Sequence, residues 1–210
     1  MTNTEFQKDP NIKYEKMRYN NNSLAYKLGM GGIVFSVIAC FIGLNSLQPS
    51  SVLTVFIVLL NIAILLFGFL SSEKVKTYTK KYTYYMYALG AACFARIFIY
   101  PLMLIIYYQK FIAMVYGPGD FATNYDKASS EFNDILGYTV IGKLVNYGTK
   151  DAPQYVIEGT GYLWHNGTFR GILLVVLLGL ATTCFVASGL VNQKREKELS
   201  QYLLSIGAKR

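Results

Sequence analysis

The sequence predicts an all-α integral membrane protein: four transmembrane helices, both termini cytoplasmic, and one long extracytoplasmic loop between helices three and four. Three observations predict it. Of the 210 residues, 53% are hydrophobic and the mean hydropathy is +0.30, too apolar for an ordinary soluble domain. The apolar residues gather into four blocks, 28–47, 52–70, 85–107 and 171–191, each able to cross about 30 Å of hydrocarbon as a helix. Fourteen of the 20 lysines and arginines fall in segments that a four-span chain must place on one side.

Those segments fix the expected orientation. Lys8, Lys13, Lys16, Arg18 and Lys27 precede the first span, and Lys74, Lys76, Lys80 and Lys81 separate spans two and three. Lys194, Arg195, Lys197, Lys209 and Arg210 follow span four, whereas 45–51 carries no charge. The positive-inside rule therefore places both ends in the cytoplasm. The connection 109–169 holds four lysines and six acids, as suits the opposite side, with Arg170 as an interfacial anchor at its edge. The net charge of +8 is thus an imprint of topology, with attraction to anionic lipids as its consequence and no nucleic-acid partner implied.

The expected organisation is a cytoplasmic tail, 1–23, a transmembrane domain, 24–191, and a cytoplasmic amphipathic helix, 192–210. Within the domain the spans cover about 24–47, 51–72, 83–108 and 170–191, and the extracytoplasmic loop covers 109–169. Residues 1–22 are polar and asparagine-rich, with an interfacial turn expected near 14–19. No cleavable signal peptide is expected, because the first apolar stretch is too long and lacks a small-residue cleavage site.

Ser23 is the expected cap of span one. Gly29, Gly32, Ser36, Ala39 and Gly43 then recur at spacings of three and four, tracing one small-residue stripe. Such a stripe admits a close neighbour, either a sister span or a different subunit. Gln48, Pro49, Ser50 and Ser51 form a tight turn into span two, so the first two spans make an antiparallel hairpin. Asn61 lies near the centre of span two, where an amide bonds between helices for about 0.6–2 kcal/mol.

Span three contains Arg96 midway between tyrosine clusters at its two ends. A guanidinium at that depth costs from about 2.5 to more than 10 kcal/mol unless partnered. No span supplies an Asp or Glu. Three readings follow: a staple bonded to carbonyls near Pro101 and to Asn61, a pair with a carboxylate on another subunit, or a binding group for an anionic solute or lipid. Pro101 removes one helical hydrogen bond, freeing the carbonyl of Ile97 and bending the helix.

In the loop, Phe132, Leu136, Val140 and Leu144 recur every four residues, so 129–147 reads as an amphipathic helix capped by Asp126 or Ser129. Gly137 and Gly142 oppose it, and a hairpin over 138–164 is the alternative. Tyr116, Tyr125, Tyr138, Tyr147, Tyr155, Tyr162 and Trp164 lie on headgroups or meet a partner.

After span four, Leu199, Leu203 and Ile206 share a helix face and Lys194 stands four residues before Glu198, an expected pair. The tail's basic-acidic cluster over 194–199 and its Leu204-Ser-Ile-Gly-Ala208 end resemble a cytoplasmic segment of the lipoprotein-export class of ABC permeases. That resemblance implies a cytoplasmic ATPase as partner.

Catalysis is not expected. His165 is the chain's single histidine, and no phosphate loop, metalloprotease helix or nucleotide fingerprint is present. Cys40, Cys93 and Cys184 fall one per span, with no metal-ligand spacing, and read as packing residues. No cofactor or metal is implied. Asn166-Gly-Thr168 matches a glycosylation sequon, meaningful only on a eukaryotic secretory route. The abundance of Lys, Asn, Tyr and Ile suits an AT-rich bacterial genome.

The functional expectation is a non-catalytic accessory or scaffolding subunit of a plasma-membrane complex such as a transporter. Its partners are membrane lipids and another integral membrane subunit, with a cytoplasmic ATPase or an extracytoplasmic protein beside them. Contacts are expected at Arg96, Asn61, Pro101, Gly32, Ser36 and Gly43, and at Tyr138, Tyr155, Trp164, Leu199 and Leu203. The alternative is an autonomous carrier or channel for an anionic solute or lipid, with Arg96 in the path.

Overall fold

A lipid-embedded backbone must bond to itself, and a run of apolar side chains with no charge does so as helix. In the computed structural model, which describes residues 22–46, 52–149, 153–158 and 163–205, this gives α1 (Ser23–Leu44), α2 (Val52–Val75), α3 (Lys80–Ile99) and α4 (Pro101–Val115). The connection then forms α5 (Phe121–Phe132), α6 (Tyr138–Ile141) and the strands β1 (Lys143–Asn146) and β2 (Tyr155–Glu158). A 3₁₀ turn (Leu163–His165) leads to α7 (Gly167–Ser205). Four helical runs are long and apolar enough to cross a membrane: Ser23–Leu44, Val55–Val75, Lys80–Val115 and Gly167–Tyr202. This is the architecture of a multi-pass membrane protein.

The helix ends differ from the sequence expectation in instructive ways. The carbonyl of Asn22, not Ser23, accepts the first backbone bond of α1, from the Tyr26 amide at 3.2 Å. Asn166 starts α7: its side-chain oxygen accepts from the amides of Thr168 and Phe169 at 2.9 and 3.2 Å. The sequon asparagine is therefore a helix cap. Span four and the tail are one continuous helix, and the run containing Arg96 reaches Val115 rather than ending at 108.

The expected helix over 129–147 does not form as one piece. Asp120 caps α5, accepting from both the amide and the hydroxyl of Thr123 at 2.9 Å, and the helix stops at Phe132. Gly142 closes α6 with φ of 76°, a conformation glycine adopts without a Cβ penalty. Beyond it β1 and β2 pair antiparallel, Lys143 opposite Glu158 and Asn146 opposite Tyr155. Helix and hairpin both occur, in succession.

Two compact units can be recognised, each with segments of all the long helices. The first comprises 1–34, 64–91 and 181–210, and the second 35–63 and 92–180. In the first, Asn192 accepts from Asn22 at 3.0 Å and donates to Thr83 at 2.7 Å. Ser188 donates to the Ala25 carbonyl at 2.7 Å, so these buried side chains are bonded within the unit.

The second unit contains the loop. Phe132, Leu136, Val140 and Ile141 are buried in one cluster with Tyr100, Leu104, Phe111, Leu174 and Leu178. Phe111 meets Tyr125 and Phe132 edge-on at 6.2 and 6.4 Å. The loop thus shares a core with the helices instead of building its own. The interfacial turn expected near 14–19, the turn at 48–51, Tyr162 and Ile206 lie outside the described residues.

Candidate functional site

Arg96 of α3 is 5% exposed and meets side chains from two other helices of the second unit. Its Nη1 donates to Ser36 Oγ of α1 at 3.1 Å and to Asn61 Oδ1 of α2 at 3.0 Å. Asn61 is itself oriented: its amide nitrogen donates to the Ile57 carbonyl one turn earlier at 2.8 Å. The amide oxygen is left pointing at the cation.

Both acceptors are neutral. A guanidinium carries five N–H donors, and the bonds to Ser36 and Asn61 use Nη1 alone. Among the described residues no carboxylate pairs with Arg96, and Nε and Nη2 have no hydrogen bond. Dipoles solvate the charge without cancelling it, and neutralisation still requires an anion.

Pro101 is buried at the start of α4, and the ladder breaks at Tyr100, whose amide still reaches the Arg96 carbonyl at 3.2 Å. The expected relief of Arg96 by the Ile97 carbonyl is not what forms; side chains of α1 and α2 take that role. Tyr100 turns instead to α1, its hydroxyl donating to the Gly43 carbonyl at 2.8 Å.

The small-residue stripe is occupied by the chain itself. In the first unit, a Cβ on Gly32 would stand 3.0 Å from the Phe185 ring. In the second, Ser36 is bonded by Arg96 and a Cβ on Gly43 would stand 3.1 Å from the Tyr100 ring. Of the two neighbours expected for this stripe, the sister span is the one seen at Gly32, Ser36 and Gly43, where residues this small admit Phe185, Arg96 and Tyr100.

The remaining expected contacts are scattered. Tyr138 is 69% exposed and Tyr155 sits at the start of β2 with its ring partly open. Trp164 falls in the 3₁₀ turn and Leu203 in α7, with both side chains outside the described set. Leu199 is 3% exposed, which removes it as a free contact. The expected Lys194–Glu198 pair is replaced: Glu198 lies 3.5 Å from Arg195, one residue closer on the helix.

Sequence reasoning missed a second buried cation. Arg170, read as an interfacial anchor, is 2% exposed. Its Nη1 donates to the Asn45 carbonyl, Ser46 Oγ and Thr139 Oγ1 at 3.1, 3.1 and 3.0 Å. The Gly137 amide adds a bond to the Ser46 carbonyl at 3.0 Å. The cation closes the carbonyl end of α1, where the helix dipole favours positive charge. The available signal was an arginine within the first turn of an apolar helix.

No protein-family model, curated protein or solved structure matches the chain.

Proposed function

We propose that this protein is a non-catalytic accessory or scaffolding subunit of a plasma-membrane complex, a transporter being the expected kind. Both termini lie in the cytoplasm and the connection 109–169 lies outside. The observation that carries the reading is Arg96: buried, held by two neutral acceptors, and without a carboxylate among the described residues. A membrane subunit bearing an Asp or Glu at matching depth completes the pair. With the small-residue stripe of α1 already covered, the contact centres on α3 and on the exposed Tyr116, Tyr138 and Tyr147 of the connection.

Purification in mild detergent followed by mass spectrometry tests it, with stoichiometric membrane partners as the expected result. Arg96→Leu weakens that complex and leaves the isolated bundle as stable or more so. Recovery of a homo-oligomer alone, with Arg96→Leu abolishing anion flux from an intact bundle, replaces the reading with that of an anion carrier. Orientation is tested by single cysteines at Ser130 and Ser200, both exposed. Impermeant reagent added outside intact cells labels the first and spares the second.

A further inference from the structure

The connection carries a cavity of about 610 Å³ with Tyr125, Tyr138, Thr139, Lys143, Glu158 and His165 in its lining. Its volume falls within the range of small-molecule sites, about 300–1,000 Å³. Lys143 opens β1, Glu158 closes β2, and the strand register sets them directly opposite each other. Residues so paired stand about 5 Å apart at Cα and project to one face of the ribbon. Opposite charges in that position can bond to each other, for about 0.2–1 kcal/mol. Here no ion pair joins the two among the described residues, and Glu158 accepts instead from the Tyr147 hydroxyl.

The remaining walls are anchored. The Tyr125 hydroxyl donates to the Gly142 carbonyl at 3.0 Å, fixing the first wall against the start of the hairpin. His165 holds Nδ1 3.1 Å from the Thr139 carbonyl. The 69%-exposed Tyr138 supplies aromatic surface. One cation and one anion therefore face one cavity from neighbouring strands, within a frame whose backbone positions are set elsewhere.

We propose that this cavity binds a small zwitterion, its primary ammonium received by Glu158 and its carboxylate or phosphate by Lys143. A singly charged ligand would satisfy one of the two groups, and an apolar one would desolvate both without return. Tyr138 adds an aromatic face for the alkylammonium carbon. The same chemistry belongs to a free amino acid or short peptide and to the headgroup of an ethanolamine phospholipid. The site's chemistry needs neither Arg96 nor a partner subunit, but a subunit docked on Tyr138 and Tyr147 would cover it, so the test is made on the protein without that subunit.

The test uses the full-length protein in non-ionic detergent, titrated calorimetrically with dialanine and with O-phosphoethanolamine. A third arm reconstitutes it with phosphatidylglycerol containing phosphatidylethanolamine and measures which lipid is retained. Saturable binding in any arm is expected, weakened about tenfold or more by Lys143→Gln and by Glu158→Gln, and recovered by Lys143→Glu combined with Glu158→Lys. Binding of either soluble probe identifies a solute site; selective lipid retention without it identifies a headgroup site. No binding in all three arms, or binding indifferent to both single substitutions, overturns the proposal.

Discussion

Asn61 holds its amide oxygen 3.0 Å from Nη1 of Arg96 while its amide nitrogen is committed to the Ile57 carbonyl at 2.8 Å. The second bond decides the first. With one of its two N–H groups bonded to its own helix, the amide is oriented with its oxygen lone pairs toward Arg96, the half that a cation needs. Ser36 completes the pair of acceptors from α1, so three helices of the second unit meet at one charge.

Asn61→Leu takes away one of two acceptors and is expected to destabilise the bundle by about 1–3 kcal/mol. Asn61→Asp supplies a carboxylate of similar size and lowers dependence on any external anion. Combining Asn61→Leu with Arg96→Leu should be milder than Asn61→Leu alone, because no buried charge is left behind. Thermal unfolding in one detergent resolves all three.

Arg170→Ala is expected to release the end of α1 from the connection, at a cost of about 1–3 kcal/mol. Arg170→Lys recovers part of it, since a lysine keeps the charge at the helix end but loses the planar fork. Hydrogen exchange at the Gly137 amide, which bonds the Ser46 carbonyl, is the local readout. Unchanged protection in Arg170→Ala would dismiss the latch.

In the first unit, a Cβ added to Gly29 overlaps Ser72 Oγ and stands 2.9 Å from Met86 Cε. Ser72 Oγ is buried and has no hydrogen-bond partner among the described residues. Ser72→Ala alone is therefore expected to be neutral or stabilising, whereas Gly29→Ala lowers the melting temperature. The double substitution should regain most of that loss, because Met86 is flexible and can yield. Additive effects would show that Ser72 is not the obstacle.

Asp120 titrates below the usual aspartate range because the backbone amide and then the hydroxyl of Thr123 bond its carboxylate. A depressed folded-state value contributes stability that is present above the unfolded pKa, about 3.9. It disappears as pH falls through the folded one. Exchange of the Thr123 amide should accelerate on that acid limb. Asp120→Asn keeps the cap and abolishes the pH dependence, while Asp120→Ala loses the cap at every pH.

Much of this architecture was legible from residue order. Arg96 stood out as one cation in an apolar run, and Asn61 was already a candidate acceptor. Ser36 read as one small residue of a packing or docking stripe, and Arg170 as an interfacial anchor. In the connection, the spacing of Phe132, Leu136 and Val140 marked residues that are indeed buried. It did not reveal that Gly137 and Gly142 divide the backbone into short helices and a hairpin. Burial period survives a broken helix when each piece turns its apolar side to a shared core.

Composition alone determined that four segments form long apolar helices, since each such segment bonds its own backbone and its own side chains favour lipid whatever surrounds them. Tertiary structure decided the partners. Arg96 lies 60 residues from Ser36 and 35 from Asn61, and Arg170 lies 124 from Ser46. Bonds over such separations exist only once helices stand side by side, and a hydropathy period records which face is apolar, not which atom waits across it.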